Sequence, residues 1–275
     1  MKIRQLFNIF LLNFILFGIL AISAQAQLDK SFGTNGIVSP NIAGADKPLA
    51  SYLLPNGKIL VVNSSFAGTN PTVYRFYFVR FNANGTLDTS YGTNGVVTVL
   101  GANAQPLIES SPNCARQSDG KILLTGSQSV YRFNENGTLD PTFSGDGIHT
   151  PNVDQQASEK LAAVIQQPDG KIIVAGTIFG NFGSPPSKIF FVRYQSNGDL
   201  DPSFGDQAGF IINTVQYTTI SDIALQSNGK ILTVPQKEIN EFSFYWDGAI
   251  NRFNANGTID NNFSPQILQR PCCSA

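Results

Sequence analysis

The chain has 275 residues, 42% of them hydrophobic and 13% charged, with three cysteines, a single histidine and a formal net charge of −1. Three cysteines exclude a disulfide-stapled scaffold, and one histidine excludes a metal centre built from several imidazoles. The near-neutral balance removes the electrostatic footprint of a nucleic-acid binder, so no nucleic-acid partner is expected.

Residues 1–26 read as a secretory signal peptide. Lys2 and Arg4 precede an apolar run from Leu6 to Ile22 that ends in Ser23-Ala24-Gln25-Ala26, with small residues where a signal peptidase needs them. The competing reading is a membrane anchor, since the run approaches spanning length. Cleavage after Ala26 leaves 16 basic against 19 acidic residues, a net charge of −3, and no second stretch apolar enough to span a bilayer. The expected location is outside the cell or at its surface, with the periplasm as the alternative.

The rest of the chain repeats itself. Gly57-Lys58-Ile59, Gly120-Lys121-Ile122, Gly170-Lys171-Ile172 and Gly229-Lys230-Ile231 each precede an Asn-Gly-x-Leu/Ile-Asp string, carrying Gly85 and Asp88, Gly137 and Asp140, Gly198 and Asp201, and Gly257 and Asp260. A period of roughly 50–60 residues is the mark of propellers, solenoids and arrays. Within each repeat an apolar strand A meets Asn-Gly or Asp-Gly, which accept the positive φ angles of tight hairpins, and then a β-rich strand B. Strand C follows as Phe78-Val79-Arg80-Phe81, Val130-Tyr131-Arg132-Phe133, Phe191-Val192-Arg193-Tyr194 and Ile250-Asn251-Arg252-Phe253, whose alternation predicts a half-buried strand with Arg on the wetter face. The Leu-Asp-x-x-Phe/Tyr-Gly-x-x-Gly stretches, clearest at Leu28 to Val38 and Leu87 to Val97, are expected to supply strand D. Four antiparallel strands per repeat predict an all-β chain, a β-propeller of about four four-stranded repeats, complete or open; a β-sandwich and an open β-solenoid are the alternatives.

The repeats run over 28–86, 87–138, 139–199 and 200–258, a further copy starts at 259–264, and 265–275 form an irregular tail, so the repeat domain is 27–264. The N-terminal D copy at Leu28-Asp29-Lys30-Ser31-Phe32-Gly33 offers a partner for the fourth A–B–C set that would close the ring; the equal alternative is an open arc shortened from a longer ancestor. The strings Asp-Gly-Lys-Ile-Ile-Val-Ala-Gly, Val-Arg-Tyr and Asn-Gly-Asp-Leu-Asp-Pro-Ser-Phe-Gly at 169–176, 192–194 and 197–205 resemble the bacterial delta-60 repeat. The resemblance covers about residues 28–264, and repeat four departs from it after Ile231. It implies a propeller-like architecture in secreted or surface proteins, with no established chemistry.

Function, on this reading, belongs where the copies disagree. Both glycine turns fall at one end of the strands, while the B–C loops, long at 178–188 and 236–248, and the D–A connections fall at the other, where recognition residues concentrate. Phe179, Phe182, Phe242, Tyr245 and Trp246, with Phe66 and Phe244 beside them, are the candidate ligand-binding residues for a protein or glycan partner; the competing reading makes them strand or core side chains of extended sheets. The turn residues Gly57, Gly85, Gly120, Gly137, Gly170, Gly198, Gly229 and Gly257, and the capping Asp88, Asp140, Asp201 and Asp260, read as architecture.

No catalytic residue, metal ligand or cofactor site is expected. The Asn-x-Asn-Gly-x-Leu-Asp string offers mostly neutral amides where calcium wants several carboxylates, so Asp reads as a turn cap. His149 reads as an isolated loop histidine, without the Gly-x-Ser-x-Gly elbow a serine hydrolase would need. Cys114 reads as a strand side chain pointing into a core, and Cys272 and Cys273 lack partners at metal-ligand spacing. The alternative function is a polysaccharide hydrolase or lyase drawing on the non-repeated acids Asp46, Glu109, Asp154, Glu159, Glu238 and Glu241. A purely structural fragment of a longer repeat protein is the third.

Overall fold

A computed structural model describes residues 27–39, 46–66, 74–99, 113–126, 128–154, 158–179, 188–206, 209–213, 219–240, 243–264 and 266–268. Residues 1–26, expected as a signal peptide, and Cys272, Cys273, Phe182, Phe242, Glu109 and Glu241 lie outside them. The chain divides into two compact units, 1–39 and 40–275. In the first, Asp29 to Val38 form tight turns with one bridge between Thr34 and Ile37.

The second unit contains four antiparallel sheets of four strands, each a meander in chain order. Blade 1 holds β1 (Asp46–Leu53), β2 (Ile59–Phe66), β3 (Tyr74–Phe81) and β4 (Val96–Val99). Blade 2 is smaller, with β5 (Cys114–Arg116), β6 (Ile122–Thr125), β7 (Val130–Phe133) and β8 (Ile148–His149). Blade 3 holds β9 (Ser158–Gln166), β10 (Ile172–Phe179), β11 (Lys188–Tyr194) and β12 (Phe210–Asn213). Blade 4 holds β13 (Thr219–Leu225), β14 (Ile231–Asn240), β15 (Ser243–Phe253) and β16 (Gln266–Leu268). Among the described residues none is helical, so none belongs to a helix long and apolar enough to cross a membrane.

The first strands of successive blades are neighbours, β1 beside β5, β5 beside β9 and β9 beside β13. Apolar side chains fill the seams between the blades. Leu60, Val62, Phe76 and Phe78 of blade 1 pack on Ile122, Leu124 and Phe133 of blade 2. Leu123 and Phe143 pack on Val174, Val192 and Tyr194 of blade 3, whose Ile173, Ala175 and Phe191 pack on Ile223, Ile231 and Phe253 of blade 4. Strand alternation sends one set of side chains toward the preceding blade and the other toward the following one, so both faces of an inner blade are buried.

Two sequence expectations are corrected. The Leu-Asp-x-x-Phe/Tyr-Gly-x-x-Gly stretch is a turn-rich connector, here called the D-loop, and not a strand. Leu87 makes a single bridge to Phe81, and the pairing of strand D begins only at Val96. Gly92, Asn94 and Gly95 all take positive φ, which an extended strand does not contain. The fourth blade also needs no N-terminal strand, because β16 pairs with β15 through Gly248–Leu268 to Ile250–Gln266.

The eight turn glycines all have positive φ, as their sequence context predicts. They differ in what surrounds them. A Cβ on Gly198 would meet Ser144 N at 2.7 Å and the Phe143 ring at 2.9 Å, both in the preceding blade, whereas one on Gly170 would meet only Ser196 Cβ at 4.0 Å. Since Asn tolerates the left-handed region, Gly198→Asn should cost at least about 1 kcal/mol more than Gly170→Asn in chemical denaturation, from overpacking of the seam.

Candidate functional site

Each repeated Asp joins two cations and a turn. In blade 3, Asp201 Oδ2 accepts Lys171 Nζ at 2.9 Å and Arg193 Nε at 2.7 Å, while Oδ1 accepts the Ser203 hydroxyl at 2.8 Å and its N–H at 3.1 Å. Asp88 takes Lys58 and Arg80 at 2.7 and 2.6 Å, Asp140 takes Lys121 and Arg132 at 3.2 and 2.7 Å, and Asp260 takes Lys230 and Arg252 at 2.7 and 2.6 Å. Lys follows the A–B turn and Asp follows the C–D turn, so their contact places both glycine turns at the same end of the blade. The expectation of Arg on the wetter face is overturned at Arg132, whereas Arg80, Arg193 and Arg252 are half-buried beside buried strand neighbours. The Arg132 side chain is 4% exposed, and each guanidinium lies over the D-loop ring, 4.2 Å from Tyr91, 4.8 Å from Phe143, 4.6 Å from Phe204 and 4.5 Å from Phe263.

The triads also tie each blade to the next. Arg80 Nη1 lies 3.7 Å from the Glu135 carboxylate, Arg132 Nη1 donates to Ser196 O, and Arg193 Nη1 donates to Ala255 O at 3.3 Å. Glu135, Ser196 and Ala255 hold the same place in successive Asn/Gln-x-Asn-Gly turns. The backbone adds Ser144 N–H to Asn197 O and Gly205 N–H to Asn256 O. The repeated charges therefore form a latch whose ion pairs and hydrogen bonds lie within and between the blades.

At Asp88, the Lys58 ammonium and the Ser90 hydroxyl outweigh desolvation and hold the carboxyl well below its usual range. At Asp140, desolvation opposes ionisation, but Thr142, Lys121 and Arg132 overcome it and bring the pKa down to about 2. Asp201 is lowered in the same way, against desolvation, by Lys171, Ser203 and Arg193. Lys230 and Arg252 bring Asp260 to about 2.

The opposite end carries the variable segments, and the structure redraws them. Residues 236–248, expected as a loop, continue β14 and β15 with Lys237 opposite Asp247, Glu238 opposite Trp246 and Asn240 opposite Ser243. Among the described residues the flanking strands pair only as far as Gln236 for β13 and Gly248 for β16, so 237–240 and 243–247 pair with each other alone. Tyr245 and Trp246 lie in the second of these segments, while half-buried Phe179 ends β10 of blade 3. The D–A segments shrink too, since Asp46 and Lys47 belong to β1 and Ser158 to Lys160 belong to β9.

The remaining candidates resolve into structure. His149 is part of strand D in blade 2, and its ring packs edge-on to Tyr194 at 4.7 Å with Nδ1 3.1 Å from Ser144 Oγ; burial lowers its pKa. Glu159 Oε1 accepts the N–H groups of Val153 and Asp154. Cys114 is half-buried at the start of β5, where desolvation raises its thiol pKa and Tyr52 donates to it. Among the described residues no group of three or more His, Cys, Asp or Glu side chains could hold a metal ion.

Three stretches, 54–91, 117–143 and 167–204, match the family model of a β-propeller domain of unknown function, DUF5122. Each match runs from three residues before an A–B glycine to the aromatic residue under the guanidinium, which is the span of one triad. With four four-stranded sheets, this makes the chain a β-propeller repeat protein. Comparison with curated proteins returns no match.

Two expected outcomes follow from the triads. Asp201→Asn leaves Lys171 and Arg193 without their anion and should cost about 3–5 kcal/mol in urea unfolding, with no calcium dependence of melting in either protein. The depressed carboxyls bind fewer protons folded than unfolded, so the stability they contribute is complete above about pH 4 and is lost as pH falls toward about 2. Melting temperatures across that window should drop in the parent and drop less steeply in Asp201→Asn.

Proposed function

We propose that this β-propeller repeat protein is an exported, non-enzymatic binding module of the delta-60 type, and that the B–C end of its blades recognises a protein or glycan partner. The observation that carries this reading is the β14–β15 hairpin, whose residues 237–240 and 243–247 pair beyond the described ends of both flanking strands. Among the described residues, the two central strands of blade 4 pair farther past their flanking strands than those of blades 1 and 3. The hairpin sequence contains Phe242, Phe244, Tyr245 and Trp246, residue types that supply large contact areas at low entropic cost. The glycine end, by contrast, is committed to the triads. Export rests on the leader sequence, with its A-x-A site after the apolar run.

The test is a glycan-array and surface-protein screen on residues 27–275, repeated with 237–247 replaced by a two-residue Asn-Gly turn. Binding is expected to be lost in the shortened protein while its melting temperature stays close to the parent's. Unchanged binding overturns the role of the hairpin. Fractionation of the expressed full chain, with N-terminal sequencing, should find the mature protein outside the cytoplasm and beginning at Gln27.

A further inference from the structure

The two ends of the four-blade array keep seam surfaces that the inner blades bury. On the face of blade 4 that would meet a following blade, Val234 is 43% and Ile250 37% exposed. Their equivalents in the inner seams are buried: Val62, Thr125 and Ala175 for Val234, and Phe78, Val130 and Phe191 for Ile250. On the opposite face of blade 1, Leu53 is 76% exposed and Ile59 and Val61 are half-buried, whereas Ile122, Ile172 and Ile231, equivalent to Ile59, are fully buried.

The latch at the blade 4 end is already set. Arg252 is held by Asp260 over the Phe263 ring as Arg193 is held over Phe204. Phe263 is half-buried, while Phe143 and Phe204 are fully buried. Among the described residues no turn accepts from Arg252 as Ala255 O does from Arg193. The first turn, Asn82 to Thr86, is the blade 1 equivalent of the turns that accept from the preceding blade at Glu135 O, Asn197 O and Asn256 O. One end thus carries the donor half of a seam and the other the acceptor half, with matching apolar patches.

From this complementarity we infer that the chain associates head to tail, with the blade 4 face of one copy packing on the blade 1 face of a second copy to make a further seam of the kind seen three times within the chain. The occupant is identified by continuity: Leu53, Ile59 and Val61 correspond to Leu225, Ile231 and Thr233, which meet blade 3 inside the molecule. Such a contact uses two different surfaces, so it propagates beyond a dimer unless the rotation closes a ring. Exposed apolar faces on terminal repeats mark association sites.

Sedimentation velocity and light scattering on residues 27–275 test this directly. The parent should show a mass that rises with concentration to at least twice the monomer. Ile250→Lys disables only the blade 4 face and Leu53→Lys only the blade 1 face. Each variant alone should stay monomeric with a circular dichroism spectrum and melting temperature close to the parent's, because both positions are exposed. An equimolar mixture should form a 1:1 dimer and go no further, since one functional face of each kind remains. A parent that stays monomeric at all concentrations, as it would if blade 4 closed on its own blade 1, overturns the inference. So does a variant that still self-associates alone, or a mixture that remains monomeric.

Discussion

The structure depends on a carboxylate held between two cations. Asp88, Asp140, Asp201 and Asp260 each gather a Lys from the residue just before the second strand of a blade, an Arg from the third strand and the turn that follows. A buried ion pair often contributes little net stability, because desolvation offsets attraction. Its value here is positional. The Asp fixes the Arg, the Arg covers the aromatic ring and reaches the next blade, and the spacing of the whole array follows from that chain of contacts.

Much of this was legible as parts and not as a whole. Asn-Gly and Asp-Gly named the hairpins, and every turn glycine takes the positive φ that its neighbours imply. The meeting of Lys171, Arg193 and Asp201 was not legible, because the three lie on different segments and periodicity says nothing about pairing across a sheet. Alternation along Phe191-Val192-Arg193-Tyr194 separates two faces, yet in this fold both faces are covered by neighbours. An Arg among apolar residues therefore reads as surface, although the Arg193 side chain is half-buried and reaches the next blade at Ala255 O.

The candidate binding region shows the opposite failure. Leu232-Thr233-Val234-Pro235 departs from the other copies, Pro is rare inside sheets, and the residues that follow, 236–248, read as a loop. Pro235 pairs with Ile220 beside the bulge of β13, where the ladder is already interrupted, so the strand survives. The same bulge recurs eight residues before the turn glycine in blades 1 and 3, at Leu49 and Ala162. Bulges re-aim a strand, and here they do so in the strands that adjoin one another from blade to blade. Register, a tertiary property, decided what composition could not.

Blade 2 is the smallest member of the array, with strands of three, four, four and two residues between neighbours whose strands reach eight and nine. In a quasi-one-dimensional protein, total stability is a sum of unit terms and nearest-neighbour terms. A unit this short contributes little of its own and persists through its two neighbours, to which it is joined by the Tyr91 hydroxyl on Glu135 O and by Arg132 on Ser196 O. Pulled from its ends or frayed by heat, the array would part at this middle link, separating into a one-blade piece and a two-blade piece. Cooperativity along the chain is therefore set by its least massive element.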